Sequence, residues 1–552
     1  MKSILKAISS DHVDVVATNG RLFDLPSDKS DLETISSVDE LCPINKNVIN
    51  RLITKIKEAD SVYIGTDDDF EGESIGDHLA QLCKSKPFFR LKIKSITEQG
   101  IVESINLASR TIDQSLANRQ RTKRVIDRAL GYVHSKVTRY DREFSLPGIS
   151  RVCTPILNIL SNSPQTNITI GKKMGDGMLI ATGKHLSRSE KETLNTFMDS
   201  ACKDTFYEGD RKINEFQQAA TPWRFNEAVY RIAEGTGLPI VDTIDELQSL
   251  YESGYISYPR TDSALVNDQA ANELIKMLHN MGYSNIEATH IVQNGLFKNK
   301  KIIEKETIQE GHEGIIPLSD YIDPSISLDA LSPREQCYSM ILGNIIESAK
   351  ANSKVFESKT ILNVDPWILN KGILDAQRTE FVYIHRTKTN EAGMLKEPYY
   401  PELGSLNRDK ILNILKGNGS ECIINDLPSD LIIARTMMVN GIGRPSSLKA
   451  HVQKIEKLWD SDKCKLMPLA EWSLDHAKTH LPLLVNPNAY QIIERMIHDD
   501  ASPIKVMSTI AQSEQVYTNN DGGVTRGYSD DHHSPDSPRQ EPSQSIKHGP
   551  IY

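Results

Sequence analysis

"YIGTDDDFEGESIGDHL", Tyr63–Leu79, decides how the chain is read, because its segment Thr66–Glu73 holds five carboxylates in eight residues. A solvated acidic run needs no apolar approach, yet this one follows "SVYIG", a run suited to a buried strand. Beyond it Gly72 lets the chain turn, and the residues from Ser74 read as an amphipathic helix. A strand that runs straight into a helix leaves its last side chains in a crevice at the carboxyl edge of a sheet, where ligands commonly bind. Asp67, Asp69 and Glu71 stand at alternate positions, so an extended backbone points all three the same way. Two readings follow. Oxygen-only ligands with room for water suit Mg²⁺, which keeps part of its hydration and takes phosphate oxygens as further ligands. A solvated acidic turn at a helix N-terminus is favourable as well.

The rest of the chain frames that choice. Its 552 residues exceed what one hydrophobic core supports, so several domains are expected. A hydrophobic content of 38% and a charged content of 25% fit a soluble globular protein. No apolar run is long enough to span a bilayer, and the first residues carry no signal-peptide core. The expectation is a soluble intracellular protein of cytoplasm, nucleoid or nucleus, with no membrane partner. Seven scattered cysteines without a CxxC pair argue against disulfides and cysteine zinc sites. The net charge of −10 disfavours nucleic acid on its face, but a local basic groove is enough to bind it.

Strand-like runs ("VDVVAT", "SVYIGT", "RLKIKSI") alternate with helical ones over the first hundred residues, which predicts a parallel α/β domain. "LANRQRTKRVIDRALGYVHSKVTRYDREF", Leu116–Phe144, reads as one helix crowded with Arg119, Arg121, Lys123, Arg124 and Arg128. Mixed texture follows to about 215, then mostly helix to about 350. Short strands ("SKTILNV", "TEFVYIHR") and turns come next, then helices to about 511. The last forty residues are polar, rich in Pro, Gly and Ser, and read as disordered.

"LYESGYISYPRTDS", Leu250–Ser263, carries a second signal. Pro259 bars a regular helix, leaving Tyr258 and Arg260 on either side of it. A phenol is a poor nucleophile at neutral pH unless a cation lowers its pKa, and an adjacent guanidinium can both do that and hold a phosphate. A core tyrosine is the plainer reading of the motif taken alone. Together with other segments, however, it makes the chain resemble the type IA DNA topoisomerases. "IGTDDDFEGESIGDHL" resembles their Toprim acidic motif TDxDxEGExIxxHL, and "LYESGYISYPRTDS" their active-site segment in its topoisomerase III variant. "TNGRLFDLP" resembles GHxxDLP, "RTKRVIDRALGY" RRxxDRxxGY, "SRVCTPIL" GRVQTPxL, "GHEGIIPL" HxAIxPT, and "GIGRPSS" GIGRPST. All stand in the family's order, across roughly residues 1 to 450.

The resemblance implies a multidomain chain, α/β plus mainly α. A Toprim α/β domain would join a toroidal core of helical domains and a strand-rich arch. The boundaries it suggests are 1–115 for Toprim and 116–165 with 405–511 for a helical DNA groove. The arch would take 166–215 with 356–404, the helical domain of the active-site tyrosine 216–355, and the tail 512–552. It implies Mg-dependent, ATP-independent cleavage of one DNA strand through a 5′-phosphotyrosine, then strand passage and religation, relaxing negative supercoils or unlinking DNA. No GxxxxGK[ST] loop stands in the sequence. Tyr258 would be the nucleophile, Arg260 and His312 would act on the phosphate, and Asp67, Asp69 and Glu71 would bind Mg²⁺. Arg124, Arg128, Arg151 and Arg444 would contact DNA. Arg128 and Arg124 have a solvated helix face as their plain alternative, and Arg444 the packing of a Gly-Pro turn. The expected partner is single-stranded or negatively supercoiled DNA, with a helicase as a further candidate. A monomer without a zinc ribbon is expected.

The sequence departs from the family at its start. The opening strand VIVESPxKAKxI, with a Glu for proton transfer, is represented only by Lys2, Ser3 and Ile4. An internal start codon in a longer protein is the preferred account, and the alternative is an impaired paralogue that binds single-stranded DNA on the same scaffold. Phe70 also replaces the basic residue common in the acidic motif, Ser95 a Glu, Cys153 a Gln, and Gly314 and Leu318 alter HxAIxPT.

Overall fold

A computed structural model describes residues 13–26, 41–292, 313–364, 378–396 and 422–512, apart from short stretches within these spans, among them 94–97, 133–135, 202–205, 218–221 and 390–394. His312 and the polar tail beyond 512 lie outside the described residues.

The acidic segment is built as its pattern predicts. Helix α1 (Lys46–Glu58) is capped by Asn45, whose side chain accepts from the backbone of Asn47 and Val48. It buries Ile49, Leu52 and Ile56, and leads to strand β1 (Val62–Asp67). Helix α2 (Phe70–Cys83) follows at once, and strand β2 (Phe88–Ile93) returns parallel to β1, with Val62 opposite Phe88 and Asp67 opposite Ile93. This is the βαβ unit that a parallel pair requires. Leu22, Ile49, Leu52, Ile64 and Leu79 close its core. The run Val13–Thr18, expected as a strand, is not assigned as one; Arg51 donates to the carbonyl of Ala17 and Asp14 meets Lys55 at 2.9 Å.

Helix α3 (Glu98–Asn106) and helix α4 (Gln114–Tyr132) come next. The single helix expected over 116–144 therefore ends at Tyr132. Its distal part forms an antiparallel pair, Lys136–Arg139 with Arg142–Ser145. Gly131 weakens the helix, and Val137 and Thr138 favour the extended form that the pair then satisfies.

Beyond helix α5 (Cys153–Asn162), an antiparallel sheet collects strands from distant parts of the chain. Its order is Cys422–Asp426, Thr166–Met174, Gly177–Lys184, Thr379–Thr389, Lys354–Val364, Phe206–Gln217, with Leu395–Lys396 added to Thr379–Thr389. The strands expected to be short near 356–405 run to eleven residues each, because each finds a backbone ladder on both sides. Helix Arg188–Ser200, opened by a capping box of Ser187 and Glu190, packs Leu194 and Met198 beneath this sheet. The largest core unites α5, Phe225–Thr236, Ile240–Glu252, Pro333–Ala349, Ser429–Val439 and Leu448–Glu456. A second core packs α4 against Pro468–His480, Ala489–His498 and Pro503–Ala511.

Arg90, at the centre of β2, is 2% exposed and ties the acidic end of β1 in place. Its guanidinium donates to the carbonyls of Thr66 at 2.9 Å and Asp67 at 2.8 Å, and its Nε to Glu73 at 3.0 Å. Both side chains of that ion pair are fully buried. Replacing one partner leaves the other charge uncompensated, so Arg90→Met is expected to cost about 3–5 kcal/mol in urea unfolding. The double variant Arg90→Met, Glu73→Leu should recover most of that loss; equal losses in single and double variants would contradict this assignment.

Candidate active site at the carboxyl edge of β1

The five carboxylates do not share one partner. Asp67 accepts the Tyr258 hydroxyl at 3.2 Å, and Asp68 meets Lys92 at 2.8 Å. Asp69 is the N-cap of α2, accepting the Gly72 amide at 2.7 Å. Glu71 faces Arg21 at 3.4 Å and Arg124 at 3.7 Å, and Glu73 takes Arg90. Gly72 makes the tight exit possible: a Cβ there would stand 2.0 Å from the Asp67 carbonyl oxygen. The edge is thus neutralised piecemeal, by a phenol, a helix terminus and four cations. Among the described residues, no group of three or more His, Cys, Asp or Glu side chains stands where it could hold one metal ion. Asp67, Asp69 and Glu71 suit Mg²⁺ by donor chemistry but are not assembled as a three-ligand cluster.

Tyr258 reaches this edge from a small braid of backbone. Ser257 N–H donates to Ile316 and Leu318 N–H to Tyr255, at 2.9 and 2.8 Å, while Trp223 pairs with Ile315. The Ser257 hydroxyl donates to Gly314 at 3.0 Å and accepts the Ile316 amide at 3.0 Å. The Tyr258 ring is 4% exposed and meets Tyr251 edge-on, with centroids 5.3 Å apart. Burial raises its pKa well above the usual phenol range, and the charges of Asp67 and Asp69 add to that; Arg260 opposes them without prevailing. The expectation that the neighbouring guanidinium lowers this pKa does not hold for the arrangement seen here, because burial, with the carboxylates adding to it, outweighs Arg260. For Glu71 burial likewise raises the pKa, with Arg21 and Arg260 opposing and Asp69 adding.

Beside the edge opens a cavity of about 430 Å³. Seven cations line it (Arg21, Lys123, Arg124, Arg128, Arg151, Arg260 and Arg444) against four carboxylates (Asp24, Asp69, Glu71 and Asp127), so it is basic within an acidic chain. Arg124 pairs with Asp24 at 3.0 Å, and Arg128 donates to the Pro26 carbonyl at 2.9 Å, both from the cavity side of α4. Arg444 follows Gly443, whose φ of +95° and close approach to Met437 admit glycine best. Its two arms reach Asp262 at 3.0 Å and Glu494 at 2.7 Å. Arg444 thus packs the turn and also lines the cavity. Arg151 is only 7% exposed and forks onto both oxygens of Asp127 at 2.8 and 3.0 Å, with its third nitrogen on Glu494.

Arg260, Asp69, Glu71, Arg124, Arg128, Arg151 and Arg444 thus line one cleft, and Tyr258 meets Asp67 on two of the same segments, although the nine residues come from five separate stretches of chain. Sequence reasoning missed Arg21, Asp127 and Glu494. Glu494 had a signal: it shares the helical stripe Tyr490, Ile493 and Ile497, a charge on a core face.

This geometry can be set beside known proteins. A family model described as DNA topoisomerase matches residues 111–458, more than half of the chain, and a Toprim domain model matches residues 1–96. The chain belongs to the type IA DNA topoisomerase family. It is 25% identical to DNA topoisomerase 1 of Helicobacter pylori over 441 residues, covering 73% of this chain and 56% of that one. It is 23% identical to DNA topoisomerase 1 of Synechocystis over 507 residues, covering 78% and 53%. The chain spans about half the length of the curated relatives it matches most strongly. The solved full-length topoisomerase I of Thermotoga maritima shares its fold, with a TM-score of 0.54 and 18% identity over 94% of this chain and 92% of that one. Among the described residues no helix is long and apolar enough to cross a membrane.

Burial of Arg151 sets an expectation that separates support from strand contact. Arg151→Ala leaves Glu494 and Asp127 short of their cation and should cost about 3–5 kcal/mol of stability in chemical unfolding. A loss below about 1 kcal/mol, together with weaker oligonucleotide binding, would return Arg151 to the role of a DNA contact.

Proposed function

We propose that the protein cleaves and rejoins single DNA strands through Tyr258, relaxing negative supercoils or unlinking DNA without ATP. One observation carries the reading: the Tyr258 hydroxyl meets the Asp67 carboxylate at 3.2 Å, across 191 positions of chain, and Arg260, Asp69 and Glu71 of the same two segments line a basic cavity. A phenol fixed between a proton acceptor and cations is equipped to attack phosphorus.

Asp67 is placed to take the phenolic proton as Tyr258 Oη forms its bond to phosphorus. The bond from phosphorus to the 3′ oxygen breaks, and that oxygen leaves as a hydroxyl once protonated. The protein holds the 5′ phosphate as an ester whose energy equals that of the bond lost, so the reverse attack by the 3′ hydroxyl needs no nucleotide cofactor. Arg260, in the cavity wall, offers the positive charge that the five-coordinate phosphorus requires. Arg124 and Arg128 would track the strand from α4, and His312 would join the phosphate contacts.

Mg²⁺ is the proposed cofactor, and Asp67, Asp69 and Glu71 are the residues that would hold it. Bound there it would supply positive charge opposite a DNA phosphate. Their repulsion of Tyr258's ionised form reflects negative charge that such an ion would offset. We also assign residues 1–115 to the Toprim domain, 116–165 and 405–511 to the groove, 166–215 and 356–404 to the gate, and 216–355 to the tyrosine domain.

The test uses a single-stranded oligonucleotide labelled at its 3′ end, mixed with protein and Mg²⁺ and stopped with denaturant. Labelled protein should appear with the wild type and vanish with Tyr258→Phe. Adduct persisting in Tyr258→Phe would remove the nucleophile. Retained binding without any adduct in the wild type would instead favour the impaired single-strand binder. Isothermal titration of DNA-free protein with Mg²⁺ should show a binding heat that Asp67→Asn with Asp69→Asn abolishes; equal heats would reassign the cation.

A further inference from the structure

Glu494 lies on helix Ala489–His498, far in sequence from every motif of the site, and is 7% exposed. Three cations from three other segments converge on it. Lys123 approaches at 2.9 Å, Arg444 at 2.7 Å, and Arg151 pairs with its other oxygen. Burial alone would raise the Glu494 pKa, but Arg151, Lys123 and Arg444 overcome it and hold the carboxyl well below the usual range. Burial lowers the Lys123 pKa to about 8, with Glu494 supporting its charge against Arg444 and Arg151.

Two of these cations bear on the proposed chemistry. The second arm of Arg444 holds Asp262, two residues beyond Arg260 on the segment that carries Tyr258. The Arg444 guanidinium also lies 5.6 Å from the centroid of the Phe70 ring, and the Lys123 ammonium 4.7 Å from the same centroid. Phe70 sits between Asp69 and Glu71 and opens α2. One buried carboxylate therefore fixes two cations that lie against the aromatic ring of the acidic segment, one of which also grips the tyrosine segment. Without it, Lys123 and Arg444 would repel each other and turn toward the nearest mobile anion, the DNA backbone.

We propose that Glu494 is a positioning residue for strand cleavage: it withholds Lys123 and Arg444 from non-productive phosphate contacts, and through Arg444–Asp262 it sets the Tyr258–Arg260 segment against the acidic edge. The inference rests on the cleavage reading above. It accounts for the aromatic residue at position 70, since a ring gives the two tethered cations a face to rest on where a third cation would repel them.

The test compares wild type, Glu494→Gln, Glu494→Asp and Asp262→Asn in single-turnover cleavage and in oligonucleotide binding at several salt concentrations. Glu494→Gln should cleave about 10²-fold more slowly at unchanged adduct amplitude, the scale of loss that a misplacement near 1 Å produces. Its binding should become steeper in log[salt] by about 0.7 for each cation released to single-stranded DNA. Glu494→Asp should regain part of the rate. Asp262→Asn, on the more exposed side of the bridge, should slow cleavage without altering the salt slope, and it decides the matter if Glu494→Gln does not fold. Wild-type cleavage rates in these variants, or a loss of amplitude at an unchanged rate constant, would overturn the positioning role. If the wild type forms no adduct, the cleavage reading falls, and the salt slope alone then judges whether Glu494 restrains the two cations.

Discussion

Negative charge at the end of β1 is the constraint that organises the site. Asp67 to Glu73 would repel one another strongly in a partly buried crevice, and each is met by a different group: a phenol, Lys92, the N-terminus of α2, Arg21 with Arg124, and Arg90. Those groups come from every neighbouring element. Satisfying the charges therefore fixes where α4, β2 and the Tyr258 segment stand relative to β1, and the candidate site is a by-product of that arrangement.

A second buried charge balances the first from the far side of the cavity. Glu494 and Asp127 take Arg151, Lys123 and Arg444, so cations that would otherwise compete for the acidic edge are tied back. The cavity between the two systems keeps an excess of positive charge although the whole chain carries −10. Net charge is thus a weak guide to nucleic-acid binding in a chain of several domains, because the field at a cleft is set within a Debye length of it.

Much of the fold was legible. The strand–turn–helix at Val62–Cys83 followed from an apolar run, a glycine and a helical stripe, and the helices near Tyr258 from their periodicity. Two local readings failed for physical reasons. The helix from Leu116 stops at Tyr132, where β-branched residues find a hairpin partner, and Val13–Thr18 gains no ladder. The expected convergence of Asp67, Asp69 and Glu71 also differs from what is seen. Alternation along a strand orients only residues that stay in the strand, and Asp69 and Glu71 already belong to the cap and first turn of α2.

By itself the sequence determined most of the segments that are strands or helices, which residues are candidates for the chemistry, and to which family the chain belongs. Those properties rest on short-range periodicity and on residue types in fixed local order. Only the tertiary structure decided which charge meets which: that Arg151 is a buried clasp, that Arg444 bridges Asp262 to Glu494, and that Tyr258 rests on Asp67. Such pairings join residues tens to hundreds of positions apart, and a carboxylate's nearest cation is set by packing in three dimensions, about which its neighbours in sequence carry no information.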